Sequence, residues 1–428
     1  MTSEIRYEEA YVWIWLPEET EPVVAGLVTK DGDRLIFNYG RSYLGRDNAM
    51  PIYLPELPLR AGALPLIAGL SMPSCIRDAA PDAWGRRVIV NRKLGLEGDR
   101  IDPAQLDELT YMLESGSDRT GALDFQRSAT EYIPRGGGTA QLEELLSVAD
   151  RVESGTPITP ELDQAFFHGS SIGGARPKAI IETRGKKYVA KFSSNSDVFN
   201  VVKGEFVAMR LAAHVGLNVA NVELVRAAGK DILLIERFDR QKSAGGWRRK
   251  AMVSALTLFE LDELMARYAS YEDLTDIIRH RFVAPTETLR ELFGRLVLNI
   301  LCGNTDDHAR NHAAFWDGKS LALTPAYDIC PQARTGREAS QAMLITGENR
   351  MSKLIVCLEA AHHFRLSKMK AEELIEQQLV AIRDHWPMVC EEAGLSLTEQ
   401  NVLWRRQVLN PFIFEDAPQT LTRFDSND

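Results

Sequence analysis

The sequence predicts an α+β chain in three parts: a β-rich N-terminal stretch, a small mixed α/β lobe, and a larger lobe that is all helical. Three observations predict it. Short apolar and aromatic runs parted by turn residues fill the first quarter, as in Tyr11-Val12-Trp13-Ile14-Trp15-Leu16. Strands and a single helix alternate from about 165 to 240. From 251 onward apolar residues recur at helical spacing, apart from one hairpin near 313–324.

The elements follow in order. Asp31-Gly32-Asp33 parts two apolar runs and reads as a hairpin turn. Asp82 to Ile89 reads as a short helix after Pro81. Gly136-Gly137-Gly138 breaks the chain, and Thr139 is expected to cap a helix with the apolar face Leu142, Leu145, Leu146, Ala149 and Val152. These signals give an N-terminal subdomain over 1–125, suited to partner docking, and a connecting helix and linker over 126–160. The small lobe then covers 161–240 and the helical lobe 241–428. In the small lobe, Ala179–Glu182 and Lys187–Phe192 flank a turn at Arg184-Gly185, and a helix runs from about Val201 to Val215. In the helical lobe, Leu289, Leu292, Phe293, Leu296, Val297, Ile300 and Leu301 form one stripe, ended by Gly303. The tail from about Asp416 is polar and expected to lack fixed structure.

Composition narrows the function classes. The formal net charge is −10, and the densest basic cluster, Trp247-Arg248-Arg249-Lys250, is short. Phosphate neutralisation drives most nucleic-acid affinity, so direct DNA binding is not expected. No apolar run approaches a membrane span, and the start lacks the pattern of an export signal. Five scattered cysteines without a CxxC pair argue against zinc or disulfides and fit a cytoplasmic chain.

The chemistry gathers in Asp306-Asp307-His308-Ala309-Arg310-Asn311, after the striped helix. A hairpin follows and delivers the chain to Tyr327-Asp328. Phosphoryl transfer to a hydroxyl needs an aspartate at the acceptor, an asparagine five residues on for magnesium, and a second aspartate beyond a hairpin for the metal. Asp306, Asn311 and Asp328 have that order and spacing. Each alone also reads as a helix cap or Asx turn; the ordered set favours function. Lys191 sits among apolar residues of a strand, where such a lysine pairs nucleotide phosphates and a helix glutamate; Glu205 could be that partner. An edge lysine whose head reaches water is the other reading. Gly169-Ser170-Ser171-Ile172-Gly173-Gly174 precedes two strands, and its small residues suit a nest of backbone amides around phosphate. It is neither GxGxxG nor a Walker A sequence. Glu236-Arg237-Phe238-Asp239-Arg240 links the lobes, as a connector holding adenine or as a strand end with an exposed charge cluster.

Together these motifs resemble the HipA kinases of bacterial toxin–antitoxin modules. Ser171 to Ala175, Glu236 to Arg240, Asn304 to Asn311, Leu323 to Asp328 and Pro81 to Arg87 carry the likeness. The resemblance implies a bilobal protein-kinase-like fold using ATP and Mg2+. It makes Asp306 the catalytic aspartate, Asn311 and Asp328 the metal ligands, and Lys191 the ATP-binding lysine. Ser171, Ile172, Gly173 and Gly174 become the phosphate loop, Glu236 and Phe238 the adenine positions, and His308 a nucleotide contact. It marks Ser171 as the autophosphorylated residue. It implies a growth-arresting serine/threonine kinase that phosphorylates an aminoacyl-tRNA synthetase. A small helix-turn-helix antitoxin restrains it, and DNA is reached only through that partner. Arg310 stands where well-known members carry lysine, and the two are not geometrically equivalent. Other readings are a catalytically weak co-repressor subunit and a small-molecule or lipid kinase.

Overall fold

Turn chemistry accounts for the first sheet. Asp31 pairs with Arg34 across Gly32, whose φ of +63° is the left-handed conformation a tight hairpin needs. The hairpin Val23–Asp31/Arg34–Tyr39 lies against Glu9–Ile14, and Leu123–Gln126 completes an antiparallel sheet at the far edge. Trp13, Ile14, Trp15 and Phe37 are all buried. The computed structural model describes residues 7–94, 106–136, 141–159, 162–171, 174–194, 197, 199–334 and 336–425. These fall into two compact units. The first takes the described residues of 1–195, 226–253 and 315–319, and the second those of 196–225, 254–314 and 320–428.

In the first unit a second antiparallel group joins Lys178–Thr183, Lys186–Phe192 and Lys230–Glu236, with Lys186–Phe192 in the middle. Its turn is the expected Arg184-Gly185, both at positive φ (51° and 72°). The helix expected from Asp82 runs longer, over Ala83–Leu94. Thr139 lies outside the described residues. The helix after it spans Leu142–Glu153, with Gln141 as N-cap and the Glu144 side chain accepting from the Gln141 amide at 3.1 Å.

The second unit is built round the helix Pro285–Cys302. Proline at its first position costs no helical hydrogen bond. The seven predicted stripe residues are all fully buried, each burial contributing about 2 kcal/mol. Gly303 ends the helix at φ +70°, and a Cβ there would lie 2.5 Å from the Gln407 carbonyl oxygen. Only glycine satisfies both demands. The helix Val201–His214 is capped by Asn200, whose Oδ1 accepts from Lys203 N at 3.1 Å. The tail does not behave as expected: Gln419–Thr422 is helical, and Leu421 and Phe424 are buried. Its polar sequence hides two apolar anchors, which bury enough surface to order it as far as Asp425.

Candidate active site

Each unit carries part of the predicted set, Ser171, Gly174, Lys191, Glu236 and Phe238 in the first and Glu205, Asp306, His308, Asn311 and Asp328 in the second. Ile172 and Gly173 lie outside the described residues.

In the second unit, the loop after Gly303 separates two neighbouring acids. Asp306 is exposed, whereas Asp307 is 2 % exposed. Asp307 Oδ1 lies 2.9 Å from His312 Nε2, and its Oδ2 accepts from the Tyr271 hydroxyl. Burial first, then the Asp307 carboxyl, push the Tyr271 phenol well above its ordinary range, so it remains a donor. One acid thus faces solvent while its neighbour fixes the loop from beneath. The loop closes on itself through the Asp306 carbonyl. That oxygen accepts from His308 N at 2.9 Å and from Asn311 Nδ2 at 3.1 Å. With Nδ2 so used, Oδ1 is the Asn311 atom able to ligate a cation.

Asp328 reaches this loop through two tethers. Tyr327 donates its hydroxyl to the Arg310 carbonyl at 2.7 Å, and Asn304 Nδ2 lies 3.5 Å from the Asp328 carbonyl and 2.9 Å from Asn299 Oδ1. Asp328 is held at φ +60°, a conformation that residues other than glycine adopt at a cost and that clusters at functional sites. The structure therefore brings Asp306, Asn311 and Asp328 into one tethered assembly. Arg310 turns to Glu263, 2.5 Å away. His308 is half-buried, and its Nδ1 has no hydrogen-bond partner among the described residues. Glu205 lies within the helix Val201–His214 and is 2 % exposed.

In the first unit, Lys191 is 7 % exposed on the central strand, so the edge-lysine reading fails. Directly opposite it stands Lys178, equally buried. Ser171 is 2 % exposed, its hydroxyl donating to the Asp118 carbonyl at 3.3 Å. Glu236 pairs with Lys186 at 2.7 Å, and Phe238 is half-buried and edge-on to Phe315 at 5.9 Å.

The connector's charges are not an exposed cluster. Arg237, Asp239 and Arg240 are buried. Arg237 and Arg240 each reach Asp118 at 3.0 Å, and both also hold Asp239. Burial alone would raise both acids. Arg237, Arg240 and Lys187 nevertheless hold Asp118 well below the carboxylate range, and Arg237 and Arg240 bring Asp239 down to about 2. The sequence reading gave no role to Asp118 or Tyr271, and none of their own to Asn304, Asp307 and His312; the partners of Asp118, namely Lys187, Arg237 and Arg240, lie far along the chain.

Among the described residues no group of three or more His, Cys, Asp or Glu is placed to hold a metal. The Asn311 and Asp328 pair fits magnesium, which keeps water and substrate phosphates and needs only one or two protein ligands. No helix of the described residues is long and apolar enough to cross a membrane. All five cysteines are free and buried.

Comparison with known proteins decides the family. Residues 170–386, just over half of the chain, match the HipA-like C-terminal domain, and residues 14–126 match the HipA N-terminal domain. The chain belongs to the HipA family. It is 25 % identical over 336 residues to Y4mE of Sinorhizobium fredii, whose name assigns it provisionally as a kinase, covering 72 % of this chain and 74 % of that one. It is 27 % identical over 183 residues to the serine/threonine-protein kinase toxin HipA of Shewanella oneidensis. That match covers 37 % of this chain and 42 % of the toxin, less than half the relative's length. In solved structures it is similar to HipA from the Shewanella oneidensis MR-1 complex of HipA, HipB and operator DNA. The TM-score is 0.65 at 18 % identity, covering 93 % of this chain and 96 % of that one. This HipA-family chain thus has the protein-kinase-like fold, preceded by a β-rich N-terminal subdomain.

Proposed function

We propose that this HipA-family chain transfers the γ-phosphoryl group of ATP to a serine or threonine hydroxyl of another protein, and so acts as a growth-arresting toxin. One observation supports the reading above all others: Asp306, Asn311 and Asp328 are tethered into one assembly in which the acid at 306 is exposed and the acid at 307 is not. Asp306 orients the acceptor hydroxyl and takes its proton. Asn311 and Asp328 hold the metal, which supplies charge neutralisation on the phosphates. Lys191 and the loop over Ser171 to Gly174 take the phosphates, with His308 as a further nucleotide contact. Glu236 and Phe238 take the adenine. Oxygen ligands suit magnesium and manganese alike.

Ser171 is the proposed autophosphorylation site. A phosphate there carries about two negative charges and three acceptor oxygens, which do not fit a nearly buried position. Modification therefore requires the loop to leave the Asp118 carbonyl, and a modified loop no longer serves ATP. The resemblance makes the acceptor a translation protein such as an aminoacyl-tRNA synthetase. It makes the restraining partner a small helix-turn-helix antitoxin, acting in the cytoplasm. The test is incubation of purified protein with a cell lysate, labelled ATP and magnesium, followed by mass spectrometry of the labelled proteins. Label on serine or threonine of a protein is expected; label confined to lipids or small molecules would reject a protein substrate.

A further inference from the structure

Asp82 and the first turn of the helix Ala83–Leu94 lie in the N-terminal stretch, Asp82 being 92 residues ahead of Gly174, yet they meet the Gly-rich stretch and its flanks at Gly174, Lys178 and Ser170. Asp82 Oδ2 accepts from Gly174 N at 3.0 Å, and Trp84 N donates to the Gly174 carbonyl at 2.9 Å. The Trp84 indole, 1 % exposed, donates to the Lys178 carbonyl at 3.0 Å. Gly85 lies so close to Ser170 that a Cβ would stand 2.6 Å from its carbonyl oxygen. Described residues on both sides of Ile172 and Gly173 are thus met by Asp82 and the start of one helix. Gly174 itself sits at φ +102°, and a Cβ on it would fall 2.1 Å from Lys178 Nζ. Glycine adopts this φ without cost, and the closeness of Lys178 leaves no room for a side chain there.

We propose that Asp82 is a positioning residue for nucleotide: through the Gly174 amide it sets the Gly-rich loop in the shape that receives phosphates. The inference rests on the kinase reading above and deepens it. Asp82 acts through Gly174, so it is not a catalytic residue. Holding the loop in place beforehand removes an ordering cost from nucleotide binding. Nucleotide affinity then depends on a turn of the N-terminal domain, and whatever displaces that turn weakens ATP binding.

The experiment compares the full-length wild type with Asp82→Ala and Asp82→Asn. It measures magnesium–ATP binding by titration calorimetry, KM and kcat for ATP, Tm, and amide exchange over residues 170–178. Loss of a part-buried hydrogen bond to a charged group predicts that D82A raises Kd and KM for ATP about tenfold, with kcat within about twofold. Exchange at 170–178 rises, and Tm elsewhere holds. D82N, which keeps an acceptor oxygen, recovers most of the affinity. Unchanged ATP affinity in D82A beside a wild type that binds ATP overturns the positioning role and leaves the kinase reading standing. A fall in Tm and kcat together without a change in KM overturns it as well, as does equal damage in D82N. A wild type that binds no ATP overturns both.

Discussion

Asp306 and Asp307 are chemically alike and adjacent, so their different environments predict different mutant behaviour. Asp306→Ala removes an exposed acid: phosphoryl transfer should fall by about 10²–10⁴-fold while the melting temperature stays unchanged. Asp307→Ala strips the buried Tyr271 hydroxyl and His312 ring of their acceptor, which should cost about 1–3 kcal/mol of stability, read in a denaturant titration. If the two variants behave alike, the division of labour is wrong. Ser171→Ala should lose self-labelling while keeping transfer to other proteins, and label persisting on that variant would remove the site assignment. Acid titration offers another residue-level check. Asp239 has its carboxyl lowered to about 2 in the fold, against about 3.9 when unfolded. Its contribution is full above pH 4 and fades as pH falls towards 2, amounting to about 2 kcal/mol. Asp239→Asn should therefore lower stability at neutral pH and flatten the dependence of Tm on pH below 4.

At the level of elements, local chemistry was legible and long-range pairing was not. Gly32 and Arg184-Gly185 announce their hairpins because a turn is decided by the few residues inside it. The stripe of the helix Pro285–Cys302 is legible for the same reason, and the spacing of Asp306, Asn311 and Asp328 follows from the helix and hairpin that frame them. Nothing in Glu236 to Arg240 reveals that its charges are buried, because their partners are Asp118, Arg119 and Gly121, more than a hundred residues earlier. The ordered tail escaped notice because Leu421 and Phe424 are two buried apolar residues in a polar run, and its ion pairs at Asp416, Arg423 and Asp425 have partners far back in the chain or outside the tail. Gly303 gives the element-scale prediction. Gly303→Ala must adopt a left-handed backbone, costing about 1–2 kcal/mol, and must also displace the Gln407 carbonyl. Together these predict destabilisation of more than about 2 kcal/mol and, since the loop proposed to carry catalysis starts here, reduced transfer. Wild-type stability in that variant would mean that the helix does not end as described.

For the whole molecule, the claim is that one chain joins a phosphate-binding first unit to a metal- and hydroxyl-directed second unit. The N-terminal subdomain supplies none of the groups proposed to touch nucleotide, metal or acceptor, but the hydrogen bond from the Gly174 amide to Asp82 gives it a physical route to the Gly-rich loop. An antitoxin bound there should lower transfer without touching Asp306. The most direct test of the central claim is label transfer from γ-³²P-ATP by the purified chain with magnesium, beside Asp306→Ala and Asp328→Ala of confirmed fold. Transfer is predicted for the wild type, with a loss of at least about 10²-fold in either variant; full transfer by either one would contradict it.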